Sequence, residues 1–167
     1  PFEILPEATA SFKDKVIIFA NSEAKEIPVT IKALKDNVKG ELQLCYGKGW
    51  KVDQEIKSFE IAKKGDQRIL HFLLTPPSTE NENYISPIIK VDGKEITKEL
   101  IEISYDHIPK QSVLMPSETK VVRLDINKNG ENIGYINGAG DEIPESLLQI
   151  GYKVEKIDPS TIQAGSL

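Results

Sequence analysis

The chain is short of the residues that most often carry chemistry. One cysteine, Cys45, among 167 residues leaves no partner for an internal disulfide and excludes a multi-cysteine metal site. The two histidines, His71 and His107, have no ligand spacing between them, so no zinc site and no other cofactor is expected. No apolar run approaches the length of a membrane span, and the start lacks a secretory leader pattern. Basic residues are in deficit, 21 Lys and Arg against 26 Asp and Glu, for a net charge of −5. The lysines are scattered among acids and form no basic stripe, which argues against nucleic acid or an anionic membrane as the main partner. Helical periodicity is missing from the first two thirds. The chain also begins at Pro1 without an initiator methionine, and is expected to continue a longer reading frame.

What the first two thirds do contain is strands. Lys15–Ala20, Pro28–Leu34, Glu41–Tyr46, Ile56–Ile61, Arg68–Thr75, Tyr84–Val91 and Ile96–Tyr105 are short and partly alternating. Alternate positions select one apolar face in several: Val29, Ile31 and Ala33; Leu42, Leu44 and Tyr46; Ile101, Ile103 and Tyr105. Turn residues separate the strands, among them Asn21-Ser22, Asp36-Asn37, Lys64-Gly65-Asp66 and Pro76-Pro77-Ser78. Asp92-Gly93 is the strongest hairpin signal, because both central positions of that turn need positive φ. Pro87 inside its strand predicts an edge or a bulge, since proline cannot donate to the ladder. The pattern predicts a mainly β fold: an immunoglobulin-like β-sandwich over residues 1–115.

Residues 116–167 have a different character. Lys120–Ile126 and Asn132–Ile136 read as strands, followed by Asn137-Gly138-Ala139-Gly140. A helix signature comes next, with Asp141 as cap, Pro144 in the first turn, Leu147, Leu148 and Ile150 on an apolar side, and Gly151 closing it. Tyr152–Ile157 then reads as another strand. Strand, glycine loop, helix and strand make one β-α-β unit, the opening of an α/β domain that is expected to be incomplete here.

Several constellations could carry chemistry, and each has a plainer reading. Asp125, Asn127, Asn129 and Gly130 match the first half of a calcium loop, but Ile136 stands where the bidentate glutamate belongs. A polar turn is the expectation. Gly138-Ala139-Gly140 could cradle a phosphate, yet Ile143 replaces the third glycine of a dinucleotide fingerprint, and Asp141 and Glu142 put negative charge at the site. Asp106-His107 is the most catalytic-looking pair, but neighbours on an extended chain point to opposite sides. His71 sits mid-strand among Ile69, Leu70, Phe72 and Leu73, and Cys45 shares a face with Glu41 and Gln43 with no histidine nearby in sequence. Trp50, with Tyr46 and Tyr84, could form a sugar-stacking platform. A core or loop anchor is the plainer role for that tryptophan.

Two stretches carry resemblances. Val16–Asn21, Gly49-Trp50-Lys51-Val52 and the closing strands are similar to β-sandwich accessory domains found beside α-galactosidases and other bacterial carbohydrate-active enzymes. Ile103–Pro109 together with Ile133–Tyr152 resembles the long LmbE-like (PIG-L type) deacetylases of Bacteroidetes. That resemblance implies a sandwich placed after a catalytic domain and before a flavodoxin-like or amidotransferase-like α/β domain. The family's catalytic domain uses a zinc-binding His-Pro-Asp-Asp type motif to deacetylate an N-acetylated sugar, and this chain has no such motif. The implied role is therefore a non-catalytic accessory or spacer region, periplasmic or extracellular, whose partners are the other domains of its parent chain. A carbohydrate-binding module, with polysaccharide as ligand, is the alternative.

Overall fold

The computed structural model describes residues 5–138 and 143–161. The strands in chain order are β1 (Ala8–Phe12), β2 (Val16–Phe19), β3 (Lys25–Ala33), β4 (Val38–Cys45), β5 (Lys51–Val52), β6 (Ile56–Ile61) and β7 (Gln67–Thr75). They continue with β8 (Asn81–Val91), β9 (Lys94–Ile96), β10 (Lys98–Tyr105), β11 (Ile108–Pro116), β12 (Thr119–Arg123) and β13 (Asn132–Tyr135). Helix α1 (Ile143–Gln149) and strand β14 (Lys153–Lys156) follow.

The mainly β sandwich expected from the sequence is present. One sheet has the order β1-β3-β7-β5, the other β2-β12-β8-β4-β6, with β9 added to β8. Period-two alternation builds the space between them: Val29 and Ile31 from β3, Phe72 and Leu74 from β7, Leu42 and Leu44 from β4, and Ile85 and Ile89 from β8 are all buried. Each such side chain contributes roughly 1.5–3 kcal/mol by leaving water. Asp92-Gly93 is the hairpin turn of β8 and β9, with φ of 49° and 76°.

Three expectations need correction. The strand expected to open the second segment, β12, belongs to the sandwich. It pairs in parallel with β2, Val121 opposite Ile17, and antiparallel with β8, Thr119 opposite Ile85. Its inward residues Thr119, Val121 and Arg123 are buried, so burial on one face fixes its place. Pro87 lies in an inner strand and at no register shift, so the edge it occupies is only a local one. It lies in β8, paired with Leu44 of β4, but β12 reaches β8 only as far as Ile85 and β9 starts pairing at Ile89. The missing N–H therefore falls where one flank of the strand is locally open. Third, residues 108–116 form a strand that alternation did not mark. β11 pairs with β10 in a two-stranded ribbon, and Asp106-His107 is its turn.

Beyond Arg123 the chain forms a small β-α-β unit in which β13 and β14 pair in parallel. Gly151 ends α1 with φ 91°, and the bonds Tyr152 N–H to Leu147 O and Gly151 N–H to Leu148 O cap the helix. Asp141 and Ala139-Gly140 lie outside the described residues. Among the described residues of this unit only Pro144 is buried.

Candidate functional site

The three aromatic residues proposed as a stacking platform are not brought together. Trp50 is 3% exposed and lies edge-on to Phe19, with ring centroids 5.1 Å apart. Its indole N–H donates to Asn81 Oδ1 at 2.8 Å. Both the ring faces and the polar handle are used internally, so Trp50 is a core anchor with no free face for a sugar. Tyr46 continues the inward alternation of Leu42 and Leu44 and packs against the core. Tyr84 is 53% exposed on the opposite face of the same sheet, beside the Lys120–Glu82 ion pair.

The other candidates are equally dispersed. His71 sits exposed on the outer face of the first sheet, where its Nδ1 meets Glu26 Oε1 at 2.8 Å. His107 is at the tip of the β10–β11 ribbon. Cys45 is exposed on the outer face of the second sheet. Among the described residues no three His, Cys, Asp or Glu side chains gather as a metal site would require. The Asp125 carboxylate accepts from Arg123 Nη2 at 2.6 Å, which draws it toward the sandwich. Arg123 is itself 4% exposed, and its Nε and Nη1 have no protein hydrogen-bond partner. An open cleft of about 410 Å³ lies between the N-terminal segment and the base of the ribbon, bordered by Glu7, Lys35, Lys94, Lys98 and Leu114. Its own backbone N–H and then the Lys35 ammonium hold the Glu7 carboxyl below the usual range.

The most organised polar arrangement is one that single-sequence reasoning missed. β2 is an edge strand, and Ile18 turns its N–H and C=O away from β12. The Gln149 side chain at the end of α1 accepts from Ile18 N–H at 3.0 Å. Lys25 Nζ donates both to Ile18 O at 2.5 Å and to the Gln149 main-chain carbonyl at 2.6 Å. The lysine thus meets an orphan carbonyl of the last helical turn, where the helix dipole favours a cation. Burial lowers the Lys25 pKa. No local pattern announces this joint, because Ile18, Lys25 and Gln149 are joined only by the fold.

No protein-family model matches the chain, and no curated protein matches it. Solved structures with a similar arrangement include the α2-macroglobulin of E. coli in its native conformation, 11% identical, covering 72% of this chain with a TM-score of 0.48. The CARDB domain of a Pyrococcus furiosus protein is 12% identical, covering 74% of this chain and 97% of its own, with a TM-score of 0.41. A non-cellulosomal cohesin from Archaeoglobus fulgidus is 10% identical, covering 71% of this chain and 92% of its own, with a TM-score of 0.38. The chain spans 7% of the macroglobulin's length.

Proposed function

We propose that this chain is a non-catalytic accessory and spacer region of an LmbE-like N-acetylsugar deacetylase, working in the periplasm or at the cell surface. The observation that supports it is the joint of Lys25, Ile18 and Gln149, which fastens the β-α-β unit to the edge of the sandwich. A spacer must transmit orientation from one domain to the next, and a bonded joint does this where a flexible linker does not. The thinly buried β-α-β unit suits a segment that completes its core with further chain. Reading the parent gene on both sides tests the proposal. An upstream His-Pro-Asp-Asp type motif with a completed α/β domain downstream is the expected result. A start codon directly before Pro1 and a stop directly after Leu167 would overturn it.

The second reading, a carbohydrate-binding module, now rests on Tyr84 and its open ring. A glycan array probed with the chain and with Tyr84→Ala tests it. Binding lost in the variant supports this reading, and no binding by the unaltered chain removes it.

A further inference from the structure

Strand edges are where one chain pairs with another, and proteins normally guard them. Most edges here are guarded. β2 is four residues long and covered by α1 through Gln149 and Lys25. β5 has two residues and β9 three, the latter bearing Lys94 and Glu95. The open side of β6 carries Lys57 and Glu60, both in ion pairs. β1 has β10 packed beside it, and β13 and β14 are four residues each.

β7 is open on one side from Gln67 to Leu73, since β5 pairs only with its last two residues, but there Lys57 Nζ bonds His71 O and Asp53 Oδ1 accepts from the Leu73 N–H. β11 is the other long edge among the described residues. It is nine residues long and pairs with β10 alone. Its stretch from Gln111 to Pro116 contains no charged residue. Both faces of the ribbon also carry apolar side chains, beside polar ones such as Glu99, which is buried against Lys15. Leu100 and Leu114, opposite one another, are half-buried, and Glu102 on that face pairs with Lys32 of β3, which seats it on the first sheet. The other face presents Ile101, Ile103, Val113 and Met115, each more than a third exposed. A solvated antiparallel ribbon normally turns polar residues to water.

We propose that this edge and face form a homodimer interface, with β11 pairing antiparallel to β11 of a second copy about a two-fold axis. Antiparallel pairing of one strand with its own copy is self-complementary. It is opposed when like charges face one another across the ladder, and the uncharged stretch 111–116 brings none. The joined ribbons form a four-stranded sheet whose Ile101, Val113 and Met115 rows run on into the same rows of the partner, covering apolar surface that each ribbon alone leaves in water. The dimer is independent of the accessory role.

Sedimentation equilibrium of the full chain over a concentration series tests it. A dimer with a dissociation constant of about 100 μM or tighter is expected. Val113→Lys is expected to weaken it at least roughly tenfold by placing ammonium groups across the ladder. Ile69→Lys, at a more exposed apolar site on the first sheet, is expected to leave it unchanged. Amide exchange, read on the unaltered chain, is expected to slow at Ser112–Met115 as concentration rises. A monomer throughout the series overturns the proposal and leaves a different domain as the occupant of the strip. So does a dimer that Val113→Lys leaves intact, or one whose exchange protection appears elsewhere.

Discussion

Lys25 and Gln149, 124 positions apart in sequence, meet at 2.6 Å through the lysine ammonium and the glutamine main-chain carbonyl. Lys25→Met keeps most of the aliphatic stem and removes the donors. A charge-assisted bond of this kind is worth roughly 1.5–3 kcal/mol. We expect the loss to appear locally, as faster amide exchange in α1 and at Ile18 and as quicker proteolysis in the connection 124–131. The core strands are expected to keep their protection. Unchanged exchange in α1 would show that the joint does not hold the unit.

Trp50 should behave as a structural residue. Trp50→Ala removes a large buried ring and is expected to cost about 3–5 kcal/mol. Trp50→Phe keeps much of the packing but leaves Asn81 Oδ1 without its donor, at a cost of about 1–3 kcal/mol. Urea denaturation checks both. A Trp50→Ala variant as stable as the parent would contradict the anchor role.

Gly40 is required by close approach, not by conformation. A Cβ there would lie 2.4 Å from Lys90 O and 3.0 Å from both Phe59 and Val91. Gly40→Ala should therefore cost about 1–3 kcal/mol, as overpacking does. Gly93→Ala meets no atom within 4 Å, and its cost should come from its φ of 76° alone. Comparing the two denaturation midpoints separates contact from backbone strain, and the larger shift is expected at Gly40.

Acid should weaken the fold in part through Asp53. Burial alone would raise its pKa, but the Lys57 ammonium at 2.9 Å and the Leu73 N–H at 2.9 Å outweigh that and lower it. A depressed carboxylate pKa means that the unfolded chain binds the proton more readily. The contribution is thus present at neutral pH and is lost as pH falls through the ordinary carboxylate range and then the folded pKa. Asp53→Asn is expected to make the acid limb of stability against pH shallower. An acid limb of unchanged slope would remove Asp53 from the account.

Much of the sandwich was legible because one face of each strand is buried. The Ile56–Ile61 strand was read to the residue, and Asp92-Gly93 announced its turn. β1 was not legible, since the small residues of Ala8–Phe12 give little apolar contrast. β11 was hidden by Pro109 and Pro116, which argue against a strand in isolation but stand at its two ends. The membership of β12 is not legible locally, because its pattern is that of any strand and the choice of neighbour is made by contacts about a hundred residues away. The candidate site fared worst. A tryptophan beside glycines reads the same whether its ring meets a sugar or Phe19, and only the packing decides.

The parallel pairing of Val16 with Lys120 sets a clock on biosynthesis. β2 is translated about a hundred residues before its ladder partner, so the second sheet cannot close while the middle of the chain is being made. Until then Ile17 and Phe19 lack the strand that flanks them in the finished sheet. A gene truncated after residue 115 would never supply it, and its product should resemble a stalled nascent chain more than a smaller version of the same domain.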